Sequence, residues 1–260
     1  MNSTNDFYQP VATDYDQVFE FEQRFRSAHR FVAGLMDRIG SVAAASDTAC
    51  GTGVYGLALA EVGVAVVGTD LSPAMIERAR VNGERLGLAV DWRVQPLQKP
   101  ICGFRGDLIL CMGNSIPHLL NEDELRQALE SFLQSLQPGG VLVLNLLNYQ
   151  RVLQRRERMI GVTRGRDGRE FIRFYDFFEG EPNVVFNLLT LDWNGAGTQT
   201  SPTTEWHSTR LHPYTESELN QALREVGFGG LQSFGGLDFS PYRPEESDAL
   251  LIIARAGEAD

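Results

Sequence analysis

Two short stretches carry residues able to do chemistry. The first is DTACGTGVYG, Asp47 to Gly56, where Gly51, Gly53 and Gly56 spell G-x-G-x-x-G; VAVVGTD then ends on Asp70. The second is CMGNSIPHLL, Cys111 to Leu120, in which the apolar run DLILCM breaks into Gly, Asn, Ser, Pro and His. A glycine turn between strand and helix lets backbone approach a ligand and aims amides at it. An acid closing the next strand can hold ribose hydroxyls. The plain structural alternative is a tight turn beside a surface acid.

Two ligands suit the functional reading. A dinucleotide needs amides facing a pyrophosphate, and its fingerprint usually runs plain apolar residues into the first glycine. Here Asp47 sits at the strand's end, where it would repel a pyrophosphate. An acid there suits a ligand carrying an ammonium and a sulfonium, as S-adenosylmethionine (SAM) does.

Both stretches need elements to position them. Residues 14 to 39 carry Phe21, Phe25, Ala28, Phe31, Val32 and Leu35 at helical spacing. VAAAS leads into the glycine turn, a helix is expected over 54–62, and VAVVGTD is a second strand. SPAMIERARVNGERLG reads as a helix with Ser72 as N-cap and Pro73 at its first position. AVDWRV, DLILCM and VLVLNLL are further strands, the last after the helix NEDELRQALESFLQSLQPGG. Strands alternating with helices imply a mostly parallel sheet. After Asn148 the rhythm changes: EFIRFYDFFEG, NVVFNLLTLDWNG and TTEWHSTRLHPY read as antiparallel strands. TESELNQALREVGF is a capped helix and ALLIIARA a last strand. The expected division is a core of 1–148 and 211–260 with a β-rich lid inserted at 149–210.

The 260 residues, 43% hydrophobic, can bury a real core. A net charge of −11 argues against a nucleic-acid partner, which needs a basic surface. No basic-then-apolar leader and no long apolar run is present, so neither secretion nor a membrane partner is expected. Cys50, Cys102 and Cys111 lack paired spacing, and His29, His118, His207 and His212 are scattered. No metal site is expected, and a cytoplasmic setting fits.

DTACGTG resembles motif I of the class I SAM-dependent methyltransferases, and TDLSPAMIERAR resembles their second motif. FRGDLILC and LQPGGVLVL follow in the same order. The resemblance implies an α/β, Rossmann-like seven-stranded sheet, mostly parallel. It also implies that Gly51 and Gly53 shape the loop around SAM, that Asp70 takes the ribose hydroxyls and that Leu71 packs on adenine. Ala49, Leu97, Met112 and Ser115 complete the expected cofactor set. Many members carry an acid after the third strand; VQPLQ, Val94 to Gln98, has none, so Gln95 or the backbone near Leu97 is the substitute.

GNSIPHL resembles the GNS-x-x-HL segment of the glycine N-methyltransferase and glycine/sarcosine methyltransferase family. LNYQRVL, FSPYRP (Phe239 to Pro244) and FYQPVATDYDQVF (Phe7 to Phe19) match further segments. The resemblance implies that Arg26 meets the methionine carboxylate, Tyr15 closes over SAM, and Asn114, His118 and Tyr242 act at the acceptor, with Tyr214 nearby. Phe19 replaces a family Tyr. Each residue also has a plain reading: Arg26 as a solvated charge, Asn114 as a turn cap, His118 as a core histidine, Tyr242 as a tether, and Tyr8 and Tyr15 as packing aromatics. Arg173, on a lid strand, meets either an acceptor carboxylate or solvent.

The expected function is SAM-dependent methyl transfer to a small molecule, foremost the amine of a small amino acid, by a chain that forms homo-oligomers in some relatives. The alternatives are an O- or C-methyltransferase, a non-catalytic SAM-binding protein and an NAD-linked oxidoreductase.

Overall fold

Strand β4, Gly106–Cys111, is apolar on both sides because helices cover both faces of its sheet. Leu108 and Leu110 join one buried cluster, while Ile109 and Cys111 join the other. The computed structural model describes residues 21–165, 167–193 and 201–257. Around β4 lie β1 (Ala44–Thr48), β2 (Ala65–Asp70), β3 (Asp91–Val94), β5 (Leu136–Leu147), β10 (Phe228–Phe234) and β11 (Ala249–Ala256). Their order is β10-β11-β5-β4-β1-β2-β3. The pairs β1–β2, β1–β4, β2–β3 and β4–β5 are parallel, and β11 runs antiparallel to β5 and β10. The sheet is therefore seven-stranded and mostly parallel, as expected.

Helix α1 (Phe21–Ile39) buries Ala28, Phe31, Val32 and Leu35 against the face shared with α2 (Val54–Glu61). Helix α3 (Pro73–Leu86) starts where the Ser72 hydroxyl accepts from Met75 N at 3.4 Å, with Pro73 at its first position. On the other face, α4 (Glu122–Ser135) buries Leu125, Leu129 and Phe132. Helix α6 (Glu216–Val226) buries Leu219 and Leu223 behind a full capping box at Thr215 and Glu218.

A second, four-stranded antiparallel sheet lies between β5 and α6 in the chain: β6 (Met159–Arg164), β7 (Glu170–Asp176), β8 (Val184–Asp192) and β9 (Thr203–Leu211), in that order. Three elements escape the sequence pattern: strand β6, helix α5 (Tyr149–Arg155) and strand β10. Helix α5 opens this region where strands alone are expected; Asn148 caps it, and it is too short for a helical period to show. Strand β10 contains Gly229 and Gly230 and bulges there, so its alternation is hidden. No helix among the described residues is long and apolar enough to cross a membrane.

Trp92 of β3 explains several glycines. Its indole lies against Gly53, Gly56 and Gly68. A Cβ on Gly68 would come within 2.2 Å of the ring, and one on Gly53 within 2.6 Å. The ring thus locks the glycine turn, β2 and β3 together. Gly68→Ala should lower stability by roughly 1–3 kcal/mol, the usual cost of overpacking, measured by urea unfolding. An unchanged midpoint would contradict this packing.

Candidate active site

The carboxyl ends of β1, β2 and β4 converge on one cleft, where an open parallel sheet binds ligands. It holds about 1000 Å³ of empty volume, part of it open to solvent. Asp47 lies one residue before the end of β1 and is 1% exposed. Its Oδ2 accepts from Gly56 N at 2.8 Å, which fastens the start of α2 to the end of β1. Beyond it the backbone turns through Ala49 (φ 51°), Gly51 (φ 54°) and Gly53 (φ 85°). A non-glycine residue in the left-handed region is uncommon, and Ala49 holds that strain at the cleft's lip.

Asp70 ends β2 and grips this turn. Its Oδ2 accepts from Gly51 N at 2.8 Å and its Oδ1 from Ser72 N at 2.9 Å. Asp70 therefore sets the glycine loop as well as facing the cleft. Burial raises its pKa, against the pull of the Ser72, Gly51 and Leu71 amides. Burial likewise raises Asp47 to about 7. The Gly56 amide opposes the rise, the Asp70 charge adds to it, and the Arg24 guanidinium opposes it. Cys50, beside both acids, is pushed up by burial first and by their charges second. Two buried carboxylates with raised pKa values are what a cationic ligand would relieve.

The β4 end supplies the opposite wall. Met112, Gly113, Ser115, His118 and Leu119 line the cleft. The Ser115 hydroxyl donates to Met112 O at 2.9 Å and pins the turn before a short 3-10 helix, Ile116–His118. Burial lowers the His118 pKa to about 4, so the imidazole is neutral near pH 7. A neutral ring there adds no repulsion toward a positive sulfur. The third wall is Gln95, Pro96, Leu97 and Gln98, the VQPLQ segment without an acid. It is held by Gln95 N donating to Asp70 O and by Ser131 Oγ donating to Leu97 O.

Of the expected residues, Ala49, Gly51, Asp70, Leu71, Leu97, Met112, Ser115 and His118 meet in this cleft. Gly53 is buried behind it against Trp92 and shapes the turn from there. Asn114, at φ 69°, turns its amide away from the cleft. Its Oδ1 accepts from Leu147 N at 3.1 Å and its Nδ2 donates to the Tyr149 hydroxyl at 2.9 Å, which lies 3.1 Å from that of Tyr175. The Tyr242 hydroxyl donates to Asn148 Oδ1 at 2.9 Å, while Asn148 Nδ2 reaches Pro244 O and Ser247 O. That network tethers the C-terminal loop. The Tyr214 hydroxyl donates to Leu119 O at 2.7 Å and bolts the chain after β9 to the cleft wall. Arg173 donates to Thr163 Oγ1 within the second sheet. Tyr8, Tyr15 and Phe19 lie outside the described residues.

Arg26 is exposed on α1, and Arg24 lines the cleft instead. Helical phase accounts for the difference. Arg24 precedes Ala28 and Phe31 on the buried stripe, whereas Arg26 leads to exposed Arg30. Tyr55, Met75 and Gln98 also line the cleft without having been singled out by any motif. Among the described residues no cluster of three or more His, Cys, Asp or Glu could hold a metal.

The site fits SAM on these grounds: two buried acids, an arginine beside one of them, and a turn whose backbone is open to a ligand. Comparison with known proteins agrees. A family model described as a methyltransferase domain matches residues 45–140. A glycine/sarcosine N-methyltransferase of Halorhodospira halochloris is 34% identical over 96% of this chain and 89% of its own length. The chain belongs to the family of SAM-dependent methyltransferases that contains the glycine/sarcosine N-methyltransferases. A second such relative, from Parasynechococcus marenigrum, is 31% identical over 90% of this chain and 81% of its own length. The crystal structure of a SAM-dependent methyltransferase from Clostridium acetobutylicum superposes with a TM-score of 0.79. It is 17% identical and is covered over 96% of this chain and 99% of its own, a likeness of fold.

Asp70→Ala should weaken SAM binding by roughly 1.5–3 kcal/mol, the worth of charge-assisted hydrogen bonds, measured as a dissociation constant by calorimetry. An unchanged constant would contradict a ribose role for Asp70.

Proposed function

We propose that this methyltransferase acts on the amine of a small amino acid of the glycine or sarcosine kind. The observation that carries the reading is the cleft itself. The paired acids of β1 and β2 face the GNSIPHL turn across one space, in a chain related over its length to enzymes named for those acceptors. SAM supplies a methyl group already activated by positive sulfur. The protein's task is then to place a neutral nucleophile in line and to keep water out.

In this reading Asp70 and the Gly51 turn hold the ribose, and Leu71 with Leu97 flanks the adenine. Asp47 faces the cationic end, and Arg24 takes the carboxylate that the sequence pattern gave to Arg26. Ser115 and His118 border the reacting end. Asn114 and Tyr242 serve there as positioning residues, through Tyr149 and Asn148 respectively, in place of the direct catalytic roles expected of them. The antiparallel sheet, which runs from Met159 to Leu211, acts as a lid inserted at 149–210 over a core of 1–148 and 211–260. The three free cysteines among the described residues support a reduced, cytoplasmic setting.

Incubation with methyl-labelled SAM and a panel of small amines, alcohols and carbon acids tests the assignment. Label should pass to glycine or sarcosine with the mass of an N-methyl product. Transfer only to a hydroxyl or carbon acceptor would contradict it.

A further inference from the structure

The cofactor's base has a definite place in this sheet. Asp70 pairs with Val94, so the chain leaves β3 level with the acid that takes the ribose. A ribose carries the methionine chain at one end and the base at the other. The β4 turn, on the far side of β1, borders the reacting end, so the base points the opposite way, toward the edge strand β3. There it meets the wall of Gln95, Pro96, Leu97 and Gln98. Leu71 and Leu97 cover its faces with apolar atoms. Its rim is polar: the 6-amino group donates, and the ring nitrogen next to it accepts. This wall has no acid to accept from the amino group, and a third carboxylate in the cleft would add like charge to Asp47 and Asp70.

Most polar groups of the wall are already committed. Gln95 N donates to Asp70 O at 2.8 Å. Gln95 Nε2 donates to Lys99 O at 2.8 Å, which turns that side chain back onto its own loop. Pro96 has no N–H. Leu97 O accepts from Ser131 Oγ at 2.6 Å. At the end of β2, the Ser72 hydroxyl caps Met75 N, and Ser72 N serves Asp70. Gln98 differs. It lines the cleft and is half-buried, and among the described residues none hydrogen-bonds its side chain. A carboxamide carries a donor and an acceptor side by side. The two match the amino group and ring nitrogen of adenine in parallel bonds, as Gln pairs with adenine in DNA. The neighbouring Leu97 carbonyl is pinned by Ser131, so Gln98 reaches out from a fixed stretch of backbone.

We propose that Gln98 reads the cofactor's base, pairing its carboxamide with the 6-amino group and adjacent ring nitrogen of adenine. The proposal rests on the cofactor placement given above and not on the acceptor. Calorimetry on the full chain tests it, with S-adenosylhomocysteine and the same molecule lacking the 6-amino group as ligands. The wild type should bind S-adenosylhomocysteine roughly 3- to 10-fold more tightly, the worth of a half-exposed hydrogen bond. Gln98→Leu should abolish that ratio. Gln98→Glu, which keeps an acceptor for the amino group, should retain it, and so should Gln95→Ala. If Gln98→Leu binds neither ligand, Gln98→Ala decides by the same ratio. A wild type that binds both ligands alike, a ratio that survives Gln98→Leu, or one lost in Gln95→Ala instead, overturns the proposal. Asp70→Ala separates Gln98 from the placement beneath it. Undiminished binding of S-adenosylhomocysteine in that variant overturns both, whereas weakened binding with no ratio in the wild type overturns Gln98 alone.

Discussion

Two carboxylates buried a short way apart at the head of one sheet are the constraint on which the rest of this structure depends. An ionised acid taken out of water costs several kcal/mol unless something compensates it. Asp47 and Asp70 are compensated in part by backbone amides: Gly56 for the first, Gly51 and Ser72 for the second. The Gly51 and Gly56 amides reach the acids because the chain turns through left-handed conformations between β1 and α2, and Ser72 adds its amide from the cap of α3. Burial still holds both acids above their ordinary range. The site is therefore built with a demand for positive charge, of the kind a cationic cofactor would meet.

The remainder of the core serves that pair. β1 and β2 are parallel neighbours in register, Thr48 beside Thr69, so their acids emerge at the same end. Trp92, seated on Gly53, Gly56 and Gly68, keeps the turn from relaxing away from β2. β4 brings the GNSIPHL turn to the far side, and its amide–tyrosine relay, Asn114 to Tyr149 to Tyr175, ties that turn to the second sheet. The second sheet is thereby joined to the cleft wall through Asn114 and two buried tyrosines.

Much of this is legible in the residues. The glycine turn, the acid ending β2, the capped helices and the alternation of strands with helices follow from spacing and turn chemistry. The seven-stranded sheet follows from the family resemblance, and the cleft gathers Ala49, Gly51, Asp70, Leu71, Leu97, Met112, Ser115 and His118 of the residues nominated. Where the geometry departs from the expected placement, local physics explains it. The family resemblance points to Arg26, but a helix buries by phase, and Arg24 has the phase of Ala28 and Phe31. Asn114 and Tyr242 have types suited to chemistry, but their hydrogen-bond partners, Leu147 N and Asn148 Oδ1, are far off in sequence and invisible to a local motif. The glycines that seat Trp92 look like ligand glycines because both tasks demand a missing Cβ.

The central claim is that the buried acids select a cationic cofactor, and proton linkage tests it most directly. Burial pushes the Asp47 carboxyl up to about 7, which favours its protonated form below that pH. A cation beside it favours the ionised form, lowers its pKa and expels the proton. SAM binding should then tighten as the pH rises toward 7. Calorimetry of SAM binding at about pH 6, in two buffers of different ionisation enthalpy, should report close to one proton released per SAM bound. The release should vanish in Asp47→Asn. Identical binding enthalpies in the two buffers would show that no proton leaves, and would contradict the account.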